Sequence, residues 1–288
     1  AIPANGDDVV VSPVTGSMSE DEYADRVRAC KEYIGAGDIY QIVISVLFKG
    51  RSNVPPFEVY RALRLLNPSP YMFYFDFGDL KVAGSSPEAL VRLYDGKASL
   101  RPFAGTLPRG KSPAEDLQNE KDLLADPKES AEHVMLVDLA RNDLGRVATA
   151  GSVRVDPYRA IERYSHVMHI VSGVQGQLAP QYDAFDLFAA SFPAGTLVGA
   201  PKVRAMEIIE EMENTGRGLY AGTAGYFGAS GDMDQAITIR TIVFNGDEYS
   251  FQAGAGIVAD SVPQKEYQEV LAKSAILRRA LDIAGEGL

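Results

Sequence analysis

GLYAGTAGYFGASGDMDQAITIRTIVFNGDEYSFQAGAGIV, Gly218–Val258, is the stretch that decides the fold class. Turn signals at Gly228–Asp232 and Asn245–Gly246 cut it into three β-rich runs, at about 218–228, 234–245 and 248–258. Short apolar runs separated by Gly, Asn and Asp read as hairpins, so the three runs are expected to pair antiparallel. Outward from there, helical patterns precede the stretch at about 181–190 and 200–213 and follow it at about 263–284. Further back, His166 to Gly176 reads as a strand, and about 112–125 and 127–144 read as helices. Strands are expected around 80–84, 90–95 and 98–103, with alternating aromatics from Tyr71 to Phe77 forming another. Pro55 to Leu66 reads as a helix, Ile39 to Phe48 as a buried strand, and Ser19-Glu20-Asp21-Glu22 as a capping box opening a helix that runs to about Gly35. Hairpins interleaved with helices describe a layered α+β fold, not a βαβ series. No repeat, low-complexity tract or Pro/Gly/Ser linker divides residues 1–288, so a single domain is expected.

The 288 residues carry a net charge of −11, with 46% hydrophobic and 23% charged residues, an ordinary globular balance. That charge argues against non-specific binding to nucleic acid or to an anionic membrane surface. It also means that an acidic substrate would need local positive charge or a bound cation. The one cysteine, Cys30, excludes an intramolecular disulfide framework and any Cys-built metal site, and sets a reducing, cytoplasmic setting as the expectation. No apolar run reaches membrane-spanning length, and AIPANGDDVV has neither the basic nor the apolar region of a signal peptide. The first residue is Ala, not Met, which suggests a processed product or a fragment.

Two Glu-x-x-Glu pairs stand out: Glu129/Glu132 in DPKESAEH and Glu266/Glu269 in VPQKEYQE. A spacing of three puts each pair on one helix face, where like charges repel by a few tenths of a kcal/mol. Either pair alone reads more readily as a solvated face. Should the two faces meet, four carboxylates without Cys describe a hard-metal site for Mg²⁺ or a similar ion. Lys273, four residues after Glu269, is a natural salt-bridge partner. Glu88, after Ser85-Ser86-Pro87, reads either as a charge at a helix N-terminus or as a general acid if burial raises its pKa. Arg240, inside the apolar AITIRTIVF, needs an anion. Of the histidines His133, His166 and His169, the last two would lie on opposite faces of a strand, and His169 is the site candidate. AGAGIV is a weak dinucleotide signal, because its third glycine and the following helix are missing; its glycines instead permit close approach to the backbone. GAPKVRAM is not a P-loop.

Taken together, GDIYQ, NPSPYMF, SSPE, RPFAGT, KESAEHVMLVDLARNDLGR, HVMHIVSGV, FPAGTLVGAPKVRAM, GLYAGTAGY, TIRT, GAGIVADS and EYQEVLAK run in the order seen in the chorismate-utilising enzymes. The chain resembles that family, specifically anthranilate synthase component I, over nearly its whole length. The resemblance implies a sandwich of two antiparallel sheets flanked by helices, with the N-terminal part of the family fold missing. It implies Mg²⁺ held by Glu132 and Glu269, with Glu129 and Glu266 beside them through water. Tyr220, Arg240 and the Gly254-Ala255-Gly256 backbone would take the enolpyruvyl carboxylate of chorismate, Gly105 and Thr106 would line the ring, and Thr196 and Lys273 would lie nearby. Glu88 would protonate the leaving C4 hydroxyl, and His169 would assist loss of pyruvate. Gln41 stands where relatives that use water carry a lysine base, which implies ammonia as the nucleophile. Ala104 stands where many aminodeoxychorismate synthases carry lysine, which favours anthranilate as product. NPSPYMF resembles the version that lines a tryptophan feedback site, and Val198 departs from a usual serine. The sequence contains no glutaminase domain, so glutamine use implies a separate amidotransferase subunit. Amino-chorismate synthesis without pyruvate loss (4-amino-4-deoxychorismate or 2-amino-2-deoxyisochorismate) and an inactive chorismate-binding fragment are the competing expectations.

Overall fold

The computed structural model describes residues 10–163 and 167–287; His166 lies outside them. The elements in chain order are β1 (Thr15–Gly16), α1 (Glu20–Ala36), β2 (Gln41–Arg51), α2 (Pro56–Leu66), β3 (Tyr71–Phe77), β4 (Leu80–Ser86), β5 (Ala89–Tyr94), β6 (Lys97–Leu100), β7 (Phe103–Pro108), α3 (Pro113–Ala125), α4 (Pro127–Gly145), β8 (Arg154–Val155) and β9 (Ala160–Arg163). They continue with β10 (Val167–Val171), β11 (Val174–Gln177), α5 (Ala184–Ser191), α6 (Gly195–Val198), β12 (Gly199–Ala200), α7 (Lys202–Met212), β13 (Thr223–Phe227), β14 (Met233–Ile237), β15 (Thr241–Asn245), β16 (Glu248–Ile257) and α8 (Pro263–Glu286). Helices interleaved with antiparallel sheets make this an α+β fold. The residues group into two compact units. One comprises the described residues through Glu88, Pro193–Ala224 and Ala236 onward; the other comprises Ala89–Phe192 and Gly225–Gln235.

The first unit is built on a seven-stranded sheet in the order β1-β2-β16-β15-β4-β3, with β12 also paired to β2. Its backbone is the long antiparallel ladder from Ile42↔Ile257 to Arg51↔Glu248. Residues 41–46 are buried without alternation, as expected of a strand covered on both faces. Tyr23, Val27 and Cys30 of α1, Val59 and Leu63 of α2, and Leu277 and Leu281 of α8 share one core with Ile42, Ile44 and Phe251. The capping box at Ser19 and Glu22 is present, and α1 stops at Gly37, whose φ of 84° is left-handed.

The second unit carries the six-stranded sheet β13-β14-β5-β6-β11-β8 and the three-stranded sheet β7-β10-β9. The expected strand at 98–103 is interrupted at Arg101-Pro102 and becomes two strands, consistent with a proline that has no N–H to donate. The expected strand from His166 to Gly176 also divides. It breaks at Ser172-Gly173, where a methyl on Gly173 would meet the Asp156 carbonyl oxygen at 2.4 Å.

Within the stretch that suggested the fold, two of the three runs are shorter than their sequence pattern. The first begins only at Thr223, because Gly218 and Ala221 take left-handed φ values of 56° and 60°. The second is cut between Ile237 and Thr241, where Arg240 has φ 49°. Arg240 is therefore not an ordinary strand residue: it occupies a left-handed break, a backbone state that costs a non-glycine residue about 1–2 kcal/mol.

Candidate active site

In the first unit, Glu88 follows β4 and leads directly into β5, so it caps no helix; the helix-terminus reading of this residue fails. It is 8% exposed. The Thr196 hydroxyl donates to its Oε1 at 2.9 Å. Burial pushes its carboxyl up to about 7, against the smaller opposing effects of the Thr196 hydrogen bond and the Lys273 and Arg240 charges. A carboxyl so placed holds a proton near neutrality and can give it up, which is what a general acid requires.

The glycine-rich end of β16 lies among other predicted residues. A methyl on Gly254 would sit 2.8 Å from the Ile44 carbonyl oxygen and 2.9 Å from the Tyr220 hydroxyl. A methyl on Gly256 would sit 2.9 Å from Gln41 Nε2. These glycines therefore let side chains cross the strand, as the sequence suggested, and no dinucleotide loop is formed. Lys273 Nζ donates to the Gly254 carbonyl at 3.1 Å and pairs with Glu269 at 2.7 Å. Gln41 is buried, and its Oε1 has no hydrogen-bond partner among the described residues. Arg240 is part-buried, and burial lowers its pKa while Glu88 opposes the shift. Burial also raises the Tyr220 phenol, keeping it a neutral hydrogen-bond donor.

In the second unit, Met168 faces Leu107 and Ile170 faces Ala104, so β7 has one extra residue opposite His169. This is a β-bulge at Gly105-Thr106, made possible by the φ of 70° at Gly105. The Nδ1 of His169 shares a 2.9 Å hydrogen bond with the Gly105 carbonyl, and its ring lies 5.3 Å from that of Phe103. A methyl on Gly105 would come 3.1 Å from Glu129 Oε2, so the bulge also touches the first glutamate of α4. Ala104 is buried beside it. His133, noted in the sequence only as a neighbour of Glu132, is fully buried and bonded through Nε2 to the Ser172 hydroxyl at 2.7 Å. Burial and the Arg159 charge lower its pKa to about 4, so it is neutral and structural.

The glutamate pairs are not a simple solvated face. Glu129 and Glu132 are half-buried and Glu266 is 7% exposed, whereas Glu269 is exposed. Among the described residues, no three His, Cys, Asp or Glu side chains are gathered as a ready metal cage. Each helix nonetheless presents two hard oxygen donors. That chemistry fits Mg²⁺, which commonly takes one or two protein carboxylates and completes its octahedron with water and substrate. Sequence reasoning singled out neither Glu213 nor Arg217, which form a buried pair in the first unit. The only signal was a Glu four residues ahead of an Arg set between glycines.

The family model described as chorismate binding enzyme matches residues 3–279. The chain belongs to the chorismate-binding enzyme family. Among its relatives, anthranilate synthase component 1 of Aquifex aeolicus is 57% identical over 270 residues, covering 94% of this chain and 55% of the relative. The component 1 of Acetivibrio thermocellus is 51% identical, with 95% and 55% covered. The chain thus spans about half the length of the curated relatives it matches. Among solved structures, anthranilate synthase component I from Streptococcus pneumoniae superposes with a TM-score of 0.87 at 43% identity, covering 94% of this chain and 60% of that one. The menaquinone-specific isochorismate synthase from Escherichia coli gives 0.86 at 26%, covering 97% and 65%. The family and the α+β fold anticipated from the motifs are both borne out.

Proposed function

We propose that this chain is the catalytic part of an anthranilate synthase component I, converting chorismate and ammonia to anthranilate, pyruvate and water in tryptophan biosynthesis. The observation that carries the reading is Glu88, a buried carboxyl with a pKa of about 7 that is hydrogen-bonded by Thr196. It would deliver its proton to the C4 hydroxyl as that group leaves, while ammonia adds at C2. The buried Gln41 cannot act as a base towards water, which favours the amine as nucleophile. Tyr220, Arg240, Lys273 and the Gly254-Ala255-Gly256 backbone form a neutral-to-cationic cluster suited to the enolpyruvyl carboxylate. His169, oriented through Nδ1 by the Gly105 carbonyl, is assigned to the proton transfer that accompanies pyruvate loss.

We assign metal binding to Glu132 and Glu269, supported by Glu129 and Glu266. Mg²⁺ held there would neutralise the ring carboxylate of chorismate, which answers how a protein of charge −11 receives an acidic substrate. Ammonia is expected from a separate glutamine amidotransferase subunit, and free ammonia should also serve. The single, buried Cys30 suits a reducing cytoplasm, and no helix among the described residues is long and apolar enough to cross a membrane.

The test is the purified chain with chorismate, ammonium and Mg²⁺, monitored by anthranilate fluorescence and pyruvate release. Equimolar anthranilate and pyruvate support the reading; an aminated chorismate that keeps its enolpyruvyl group would replace it with amino-chorismate synthesis. Chorismate binding without turnover would indicate an inactive fragment.

A further inference from the structure

From Glu213 to Gly222, between α7 and β13, the chain forms neither helix nor strand. Glycines at 216, 218 and 222 make this segment permissive, and fixing such backbone is entropically costly. Asn214 anchors it to the Ser17 carbonyl at 2.8 Å, and Ala221 and Gly222 bond the Thr238 backbone at 3.1 and 2.9 Å, while an ion pair ties it to the site. Arg217 donates Nε to Glu213 Oε2 at 3.0 Å and Nη2 to Glu213 Oε1 at 2.7 Å. Its other bonds go to the Leu197 carbonyl through Nη1 and the Val43 carbonyl through Nη2, both at 2.7 Å. Glu213 Oε1 also accepts from the Ser45 N–H and hydroxyl, at 2.8 and 2.7 Å. The two side chains are only 3% and 16% exposed, for Glu213 and Arg217 respectively.

Every bond made by this pair ends on a segment that carries a site residue. Leu197 follows Thr196, the hydrogen-bond partner of Glu88. Val43 and Ser45 lie on β2, opposite Gly256 and Gly254 in the ladder. The Arg217 guanidinium lies 5.6 Å from the centroid of the Tyr220 ring. A buried ion pair is a poor stability device, because desolvation offsets its attraction; what it supplies here is geometry. Lysine, a single point charge, cannot make the bidentate pair and reach both carbonyls at once.

We propose that Arg217, locked by Glu213, is a positioning residue that sets Tyr220, the Thr196-Leu197 turn and the Gln41 end of β2 in mutual register. The kinetic consequence rests on the anthranilate synthase reading; the positioning itself does not. Two measurements on Arg217→Lys test it, with Glu213→Gln as a second variant that frees the guanidinium. Amide hydrogen exchange should quicken at least about 10-fold in 195–200 and 213–222 while α1 keeps its protection. The chorismate KM should rise about 10-fold, with kcat reduced less than about 3-fold. In a Tyr220→Phe background the same Arg217→Lys change should cost less than about 2-fold, because the two act as a unit. Unchanged exchange in these segments, or quickened exchange with unaltered chorismate kinetics, or an equal loss in both backgrounds would overturn the proposal. Absence of chorismate turnover in the unaltered chain would sink the anthranilate reading instead, and the exchange pattern would then decide the positioning role.

Discussion

The groups of candidate residues in the two units are held by different means. In the first unit, the side chains are held by part-buried hydrogen bonds: Thr196 on Glu88, Lys273 on the Gly254 carbonyl, and Arg217 on two further carbonyls. In the second unit, His169 and Glu129 meet a bulge whose geometry rests on a single left-handed glycine. The first arrangement tunes chemistry by removing water from a carboxyl. The second aims side chains by backbone shape. Damage at Glu88 should therefore alter proton transfer, damage at Gly254 or Arg217 should weaken substrate binding, and damage to the bulge should alter orientation.

The largest expected effect is at Glu88. Glu88→Gln should lower anthranilate formation by about 10²–10⁴-fold, the range typical of a lost general acid. The same substitution should stabilise the fold at alkaline pH. Because the folded carboxyl titrates near 7 and the unfolded one near 4.5, the unfolded chain releases its proton first as pH rises. Stability attributable to this group is present below the unfolded pKa and falls between the two values, by on the order of 3 kcal/mol. Thermal unfolding of the variant and the parent, compared at acidic and alkaline pH, checks this; a glutamine variant no more stable than the parent at alkaline pH would contradict the burial argument.

Next comes the strand crossing. Gly254→Ala would force a methyl against the Ile44 carbonyl oxygen, a backbone atom that cannot rotate aside. Overpacking of this kind costs about 1–3 kcal/mol, and the displaced β2-β16 ladder should weaken chorismate binding at least tenfold, as read from KM. In the second unit, Gly105→Ala should cost about 1–2 kcal/mol in backbone strain and lower kcat more than it raises KM, because it redirects His169. A KM effect alone would show that the bulge serves binding and not orientation.

How legible all this was in the sequence depended on the kind of signal. The strand at β2 and the helices α1, α2, α4 and α8 were readable because their apolar pattern or caps are local. The Glu pairs and SSPE were readable only in company with the other motifs. The break at Arg240 was not legible, because TIRT has ordinary β propensity and the left-handed turn is set by tertiary packing. The bulge was hidden for the same reason, since a glycine at 105 does not announce its φ. The Glu213-Arg217 pair was not legible either, because a Glu four residues ahead of an Arg does not announce its burial.

The two glutamates of α4 are expected to differ from each other. Glu132→Gln should abolish Mg²⁺-dependent chorismate binding, whereas Glu129→Gln should weaken it only in part; equal losses in a Mg²⁺ titration would count against the ranking.

The most direct test of the central claim is the pH dependence of kcat for anthranilate formation, measured at fixed free ammonia so that the nucleophile does not vary. With Glu88 as a buried acid of pKa about 7, kcat should decline as pH rises through that value. The residual rate of Glu88→Gln should lack this limb. A parent enzyme whose kcat is flat through neutrality, or a variant that keeps the same limb, would contradict the account.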